Sequence, residues 1–158
     1  MTRKYHFVLI TLIAMTLFAS CDKGLVYSHS AVIDQDEWNY EEPLVYDIIA
    51  EDTTKYYELF LDVMHASDFG YENFYTKIRT VFPDGEELFD VVSIQLADKM
   101  GSWNGNCSST TCESSLLLQD GFRFKQVGPH QIIFENYSRE KLVGIESIEL
   151  KLYSIEDY

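Results

Sequence analysis

Three cysteines are the residues of this chain with the clearest chemistry, and the first has an unusual setting. In the stretch LIAMTLFASCDKG, Cys21 directly follows Ala19 and Ser20, which are small enough to enter a narrow peptidase site. An apolar residue, Phe18, precedes them. This order resembles a bacterial lipobox, in which the cysteine thiol is the nucleophile that accepts a lipid. Cys21 is therefore the predicted lipidation site.

The segment before Cys21 has the pattern of a signal peptide. Arg3 and Lys4 give it a basic start, and residues 7–18 carry no charge. A helix of that length spans about 18 Å, whereas a bilayer core is about 30 Å thick. A buried core helix and an ordinary secreted protein with an incidental cysteine are the alternatives. We predict a lipoprotein signal peptide over residues 1–20 that is removed. The acyl chains on Cys21 would then hold the protein at a membrane, since stable attachment takes at least two of them.

The other two cysteines, Cys107 and Cys112, lie close together in the polar stretch NGNCSSTTCESS. Outside the cytoplasm, neighbouring cysteines usually pair. A Cys-x4-Cys pair lacks the second pair of ligands that structural zinc needs, and the histidines are scattered along the chain. We favour a disulfide, with free thiols and a metal site as the alternatives.

No other group of residues has the spacing of a catalytic centre. Ser28, His29 and Ser30 come closest, but successive residues of a strand point to opposite faces. The sequence lacks the G-x-S-x-G turn of α/β-hydrolases, and no acidic pair stands out as glycosidase carboxylates. The acidic residues between positions 34 and 42 lack the glycine of an EF-hand loop and are interpreted as a solvated edge. We expect no enzymatic activity, no metal and no cofactor beyond the covalent lipid.

Charge and composition exclude one large class of partners. The formal net charge is −14, and removal of Arg3 and Lys4 with the signal peptide makes it −16. A chain this acidic is repelled by nucleic acid, so DNA or RNA binding is excluded. Aromatic residues make up 15% of the chain, which is more than a disordered acidic chain carries. The mature length suits one folded domain.

The elements that must position these residues are strands. Apolar and polar residues alternate in KYYELFLDVMH, so that its apolar residues from Tyr57 to Val63 share one face. The turn Pro83-Asp84-Gly85 separates two more alternating runs and predicts a hairpin. Seven to nine short strands predict an all-β chain with a single antiparallel β-sandwich domain, jelly-roll or Ig-like, over residues 21–158. A closed barrel is the alternative.

Two irregular regions interrupt this pattern. Residues 97–115 are predicted to form a long loop, and residues 138–145 a single helical turn. An exposed tryptophan in a glycine-rich loop can bind a partner, so Trp103 is a candidate contact together with Asp98 and Tyr71. The alternative is that Trp103 caps an open end of the sandwich and that Asp98 forms a turn.

An aromatic cluster supports a second function. The segment DFGYENFY contains four aromatic rings, which a β-sandwich could present as a platform for sugars: Phe69, Tyr71, Phe74 and Tyr75. A carbohydrate-binding surface lipoprotein is therefore the alternative to a protein–protein module. The competing interpretation buries Phe74 and leaves the two tyrosines between strand and loop.

Several segments together resemble a known family. VYSHSAVIDQDEW, YYELFLDVMHASDFGYENF, PDGEELFDVVSIQLADKMGSWNG and GIESIELKL follow the predicted lipobox in an order and spacing similar to the GldH gliding motility lipoproteins. The third segment is the most specific part and contains the residues Pro83, Asp84, Gly85, Asp90, Leu96, Ala97, Asp98, Gly101, Trp103 and Gly105. The chain departs from the family pattern at Met64, at the Cys107–Cys112 loop and in SREKLVGI.

The resemblance implies a bacterial cell-envelope protein, lipid-anchored and expected in the outer membrane. It implies a component of the gliding motility and type IX secretion machinery with no known catalytic activity. The partners implied are the membrane, through the lipid, and other envelope proteins of that apparatus.

Overall fold

The computed structural model describes residues 24–155, so Cys21 and the predicted signal peptide lie outside the described residues. This part of the chain contains eleven strands and one 3₁₀ turn, and none of it forms a helix long and apolar enough to cross a bilayer. The strands are β1 (Gly24–Val32), β2 (Glu37–Asn39), β3 (Leu44–Ala50), β4 (Tyr56–Ala66), β5 (Asn73–Val81), β6 (Glu87–Gln95), β7 (Asn106–Cys107), β8 (Thr111–Phe122), β9 (Gly128–Asn136), β10 (Lys141–Val143) and β11 (Ile145–Ile155).

The strands form two main antiparallel sheets and one small pair. The first sheet has the order β1-β11-β4-β8-β7 and the second the order β3-β9-β5-β6, while β10 pairs with β2. Neighbouring strands are antiparallel throughout these sheets. The predicted all-β antiparallel sandwich is confirmed.

Alternation places the apolar residues between the sheets. On β4, Tyr57, Leu59, Leu61 and Val63 are all buried, as the period-two pattern predicts. Side chains of the second sheet pack against them, including the fully buried Tyr46, whose hydroxyl donates a 2.8 Å hydrogen bond to a backbone carbonyl of the first sheet. A hydroxyl buried this deeply is stable only with such a partner.

The predicted hairpin is also confirmed. β5 and β6 pair over their whole lengths, and the turn between them closes with hydrogen bonds between Phe82 and Glu86 and from Gly85 to Phe82. Gly85 has a φ of +85°, a conformation that glycine adopts without strain. Leu88 lies on the same face of β6 as the buried Ile94 but is 58% exposed, because β6 is an edge strand.

Two local predictions were wrong. The predicted helical turn at residues 138–145 contains strand β10, which pairs with β2 and buries Leu142. The predicted loop at residues 97–115 contains β7 and the start of β8. The described residues therefore form eleven strands, where the sequence predicts seven to nine. β10 has a partner about a hundred residues earlier, whereas β7 pairs with the adjacent strand β8 over two residues only.

The register of the first sheet distinguishes two ends of the sandwich. Gly24, Ser154, Tyr57 and Phe122 lie in one row across β1, β11, β4 and β8. We call this the proximal end because the described chain begins there. At the other, distal end, His65 is the register partner of both Ile145 and Cys112.

Candidate functional site

The distal end brings together residues that are far apart in the sequence. The ring of Trp103 packs on His65 with 4.7 Å between centroids, and its Nε1 donates a 3.0 Å hydrogen bond to the carbonyl of Ser67. Trp103 also contacts the buried ring of Phe69. The half-buried indole therefore covers the open end of the sandwich, in agreement with the capping interpretation. Contact of Trp103 with a partner stays a prediction.

Asp98 shapes the loop that carries Trp103. One of its carboxylate oxygens accepts hydrogen bonds from the backbone N–H groups of Met100 (2.8 Å) and Ser102 (3.0 Å). The loop closes with a bridge between Ala97 and Trp103. This is the turn-forming geometry expected of an aspartate. The loop displays Met100, which is 90% exposed, at its tip.

Tyr71 lies beside the same cluster and remains accessible. Its ring contacts Phe69 at 5.5 Å and is 39% exposed. The guanidinium carbon of Arg139 lies 3.7 Å from the ring centroid, a cation–π contact worth about 0.5–1 kcal/mol at an exposed site. Since Tyr71 and Trp103 both contact Phe69, the structure brings two of the three candidate residues to one surface. The third, Asp98, shapes the loop that carries Trp103.

His65 is the buried polar residue of this end, and the sequence analysis missed it. Its Nδ1 donates to the carbonyl of Ala66 at 2.9 Å, while its Nε2 has no hydrogen-bond partner within residues 24–155. Burial lowers the pKa of His65 below its usual value, so the ring is neutral at pH 7. The sequence contains one indication that His65 is buried. It lies two residues after Val63, so alternation along β4 places both on the same face.

The predicted disulfide is confirmed and lies at this end. Cys107 and Cys112 are joined across the β7–β8 hairpin, with 4.0 Å between their Cα atoms. Cys112 is buried and Cys107 is exposed. The pairing uses both thiols, which removes the free-thiol and metal alternatives for them. No group of three potential metal ligands occurs in the part of the chain that the structure describes.

The aromatic platform for sugars is not present as predicted. Phe69 and Phe74 are 5% and 1% exposed, so two of the four rings face the core. Tyr71 and Tyr75 remain accessible. With half of its rings buried, the segment cannot present a four-ring stacking surface, and the structure agrees with the competing interpretation.

A feature that the sequence analysis did not identify lies near the proximal end. There a partly open cavity of about 400 Å³ separates the two sheets. Its lining comes from β3, β4, β5, β6, β8 and β9 and from the β8–β9 connection. Because six strands contribute, no continuous segment of the sequence indicates it.

Comparison with known proteins gives a consistent result over nearly the whole chain. The family model described as GldH lipoprotein matches residues 25–152. The chain is 26% identical over 144 residues to a "Gliding motility lipoprotein GldH homolog" from Christiangramia forsetii, covering 90% of this chain and 88% of the relative. It is 27% identical over 142 residues to the "Gliding motility lipoprotein GldH" of Flavobacterium johnsoniae, covering 89% and 87%.

Solved structures give a weaker likeness. The CBM35 domain from Cellvibrio japonicus Abf62 aligns with a TM-score of 0.37 and 14% identity, covering 88% of this chain and 96% of that one. An arabinose-bound MgGH51 α-L-arabinofuranosidase aligns with a TM-score of 0.38 and 13% identity, covering 82% and 22%.

Proposed function

This chain belongs to the GldH lipoprotein family, and we propose that it is a lipid-anchored, non-catalytic component of the gliding motility apparatus in a bacterial cell envelope. The observation that carries this proposal is the family match, which spans residues 25–152. Two relatives of nearly equal length have names that state gliding motility and a lipoprotein. The proposal extends to a role in type IX secretion and to the outer membrane as location.

The anchor proposed is lipid on Cys21, after removal of residues 1–20, which leaves residues 21–158 as the mature domain. Cys21 precedes Gly24 by three residues, a length of at most about 10 Å when extended. The lipid would therefore hold the proximal end close to the membrane. The distal end, with Trp103 and Tyr71, would be directed away from it.

The proposed mechanism is confinement to a surface. A domain held at a membrane meets its neighbours at a high effective concentration, so weak contacts act almost as intramolecular ones. The contact surface we propose is the distal end around Tyr71, Asp98 and Trp103. Other envelope proteins of the gliding and secretion apparatus would bind there.

The test is deletion of the gene in its host, followed by complementation. Loss of gliding and of type IX secretion, restored by the wild-type gene but not by Cys21→Ser, is the expected result. Normal motility and secretion in the deletion strain would refute the role, and full rescue by Cys21→Ser would refute the anchor.

The contact surface needs a separate comparison. Tyr71→Ala should reduce recovery of other envelope proteins in a pull-down of the detergent-solubilised protein. Tyr75→Ala is the matched control, because Tyr75 is similarly exposed on the neighbouring strand β5 but lies outside the Phe69–Trp103 cluster. Equal recovery with both variants would exclude Tyr71 from the interface.

A further inference from the structure

The cavity between the sheets exists because one side of the sandwich is not closed. β6 is the edge of the second sheet, and β7 covers β8 only at Glu113 and Cys112. Beyond those positions, no strand of the described chain pairs with the outer side of β8. The walls of the cavity are apolar side chains from both sheets, among them Leu59, Ile78, Phe82, Leu118, Phe122 and Phe134. A volume of about 400 Å³ is within the range of small-molecule sites.

One residue of the lining, His130, has a buried polar atom without a hydrogen-bond partner among the described residues. His130 is 4% exposed, and its Nδ1 donates to the carbonyl of Gly128 at 3.1 Å. Its Nε2 is buried and has no hydrogen-bond partner among the described residues. Such an atom carries a free-energy cost that a ligand or a water molecule can remove. The imidazole ring of His130 also packs against Phe124, with 4.8 Å between ring centroids. This contact links the β8–β9 connection to the second sheet.

Two cations lie at the mouth of the cavity. Arg123 and Lys125 line it and are exposed, and neither pairs with a carboxylate within the described residues. Arg123 lies over the ring of Tyr56 at 5.0 Å. On the other wall, the carboxylate of Asp90 accepts a hydrogen bond from the N–H of Val91. Among the lining residues there are thus two cations and one carboxylate, in a chain whose net charge is −14.

We propose that this cavity binds a long-chain acyl amphiphile with an anionic head group. The acyl chain lies between the sheets against Leu118 and Phe134, where its methylenes are removed from water and the hydrophobic effect favours binding. The head group lies at Arg123 and Lys125. A fatty acid and an anionic lysophospholipid share this chemistry.

The position of the cavity supports a lipid as the occupant. Phe122 lines the cavity and lies in the same row of the first sheet as Gly24. Three strand spacings separate the two residues, which is about 14 Å. If Cys21 carries lipid, the mouth of the cavity is close to the bilayer. This last argument rests on the proposed anchor, whereas the cavity, its cations and His130 do not.

The first experiment measures binding to the full protein purified from its host in detergent. Native mass spectrometry after incubation with oleate should detect one added oleate per chain. A parallel incubation with oleoyl-lysophosphatidylglycerol distinguishes a fatty acid from a phospholipid as the preferred source. Failure to bind either compound would overturn the proposal, as would binding of a co-purified peptide at the site in place of lipid.

Neighbouring residues of β8 provide a matched pair of variants. Leu118 lines the cavity, whereas Leu117 points to the opposite face and is 47% exposed. Leu118→Arg should weaken oleate binding at least tenfold, and Leu117→Arg should leave it unchanged. Leu88→Trp, at an exposed position of the lining, is the second variant and should weaken binding without unfolding the domain. Equal binding by wild type, Leu118→Arg and Leu88→Trp would refute the site.

The head-group contacts have their own readout. Wild type should bind oleate at least tenfold more tightly than oleyl alcohol, and the double variant Arg123→Gln/Lys125→Gln should lose this preference. Lys99→Gln, in the distal loop, should keep it. Binding in a purified protein is independent of motility, so normal gliding of a deletion strain would refute the proposed function and leave this proposal standing.

Discussion

Removal of the distal disulfide should destabilise the domain by a predictable amount. The best single change is Cys107→Ser, because Cys107 is exposed and its substitution leaves the buried Cys112 in place. The bridge joins residues separated by five positions. In the chain-entropy treatment, closing a loop of that size in the unfolded chain is worth about 2 kcal/mol at 25 °C. For a domain of this length, that loss corresponds to a decrease in Tm of about 5–10 °C.

The structural reason for this effect is local. β7 pairs with β8 only at Asn106 and Cys107. Besides the bridge, the hairpin is held by the bonds of Ser108 to Thr111 and by two hydrogen bonds from Ser67 to the carbonyls at its tip. We expect Cys107→Ser to loosen β7 and residues 108–110 at the tip of the hairpin before the rest of the sandwich unfolds. Faster hydrogen exchange at the amide of Ser108 would report this loosening.

The assay is thermal unfolding followed by circular dichroism, with and without a reductant. Reductant should lower the Tm of the wild type to that of Cys107→Ser and should not affect the variant. Ser109→Ala, at the exposed tip of the hairpin, controls for substitution in this loop and should retain the wild-type Tm. A wild type and variant of equal stability, or a variant that reductant destabilises further, would refute the reasoning.

Three further predictions concern the core and the distal end. Gly105→Ala should cost about 1–3 kcal/mol, because a Cβ at Gly105 would lie 2.1 Å from the carbonyl oxygen of Glu113; urea denaturation measures this loss. Tyr46→Phe should cost about 1–2 kcal/mol by the same measurement, since it leaves the carbonyl of Ile148 without its hydroxyl donor. The pKa of His65 is lowered by burial, so below pH about 6.5 the unfolded chain takes up a proton that the folded chain does not. Stability should therefore fall as pH drops from 7 towards 5, and less so in His65→Phe.

Each of these changes has a control in the chain. Gly70→Ala should be neutral, because nothing lies within 4 Å of a Cβ at Gly70; an equal loss there would contradict the steric argument. Tyr75→Phe changes an exposed tyrosine and should not alter stability. His29→Phe changes an exposed histidine and should keep the wild-type decrease in stability at acid pH.

Much of the fold could be predicted from local patterns. The alternation from Tyr57 to Val63 predicts the buried face of β4, and Pro83 with Gly85 predicts the β5–β6 turn. Both features depend on neighbouring residues only: side chains alternate across a strand, and glycine adopts positive φ in a turn. The pairing of Cys107 with Cys112 was predicted for the same reason, since five positions separate them.

The failures share a different cause. Strand β10 was predicted as a helical turn because its pairing partner, β2, lies about a hundred residues earlier. Phe69 was considered for an exposed sugar platform, yet Trp103, far along the chain, packs on it. In both cases the deciding contact involves residues that are distant in sequence, and no local pattern reports such contacts.

The sequence by itself determined the strand pattern, the acidic charge, the family resemblance and the expectation of an anchor at Cys21, because composition and local spacing carry this information. Only the tertiary structure decided that Trp103 packs on His65 and Phe69, that Tyr71 joins them, and that a cavity opens between the sheets beside Arg123. The physical reason is that an antiparallel sandwich assembles its ends and its interior from strands far apart in the chain. Which side chains meet there depends on strand order and register, which alternation along a single strand does not specify.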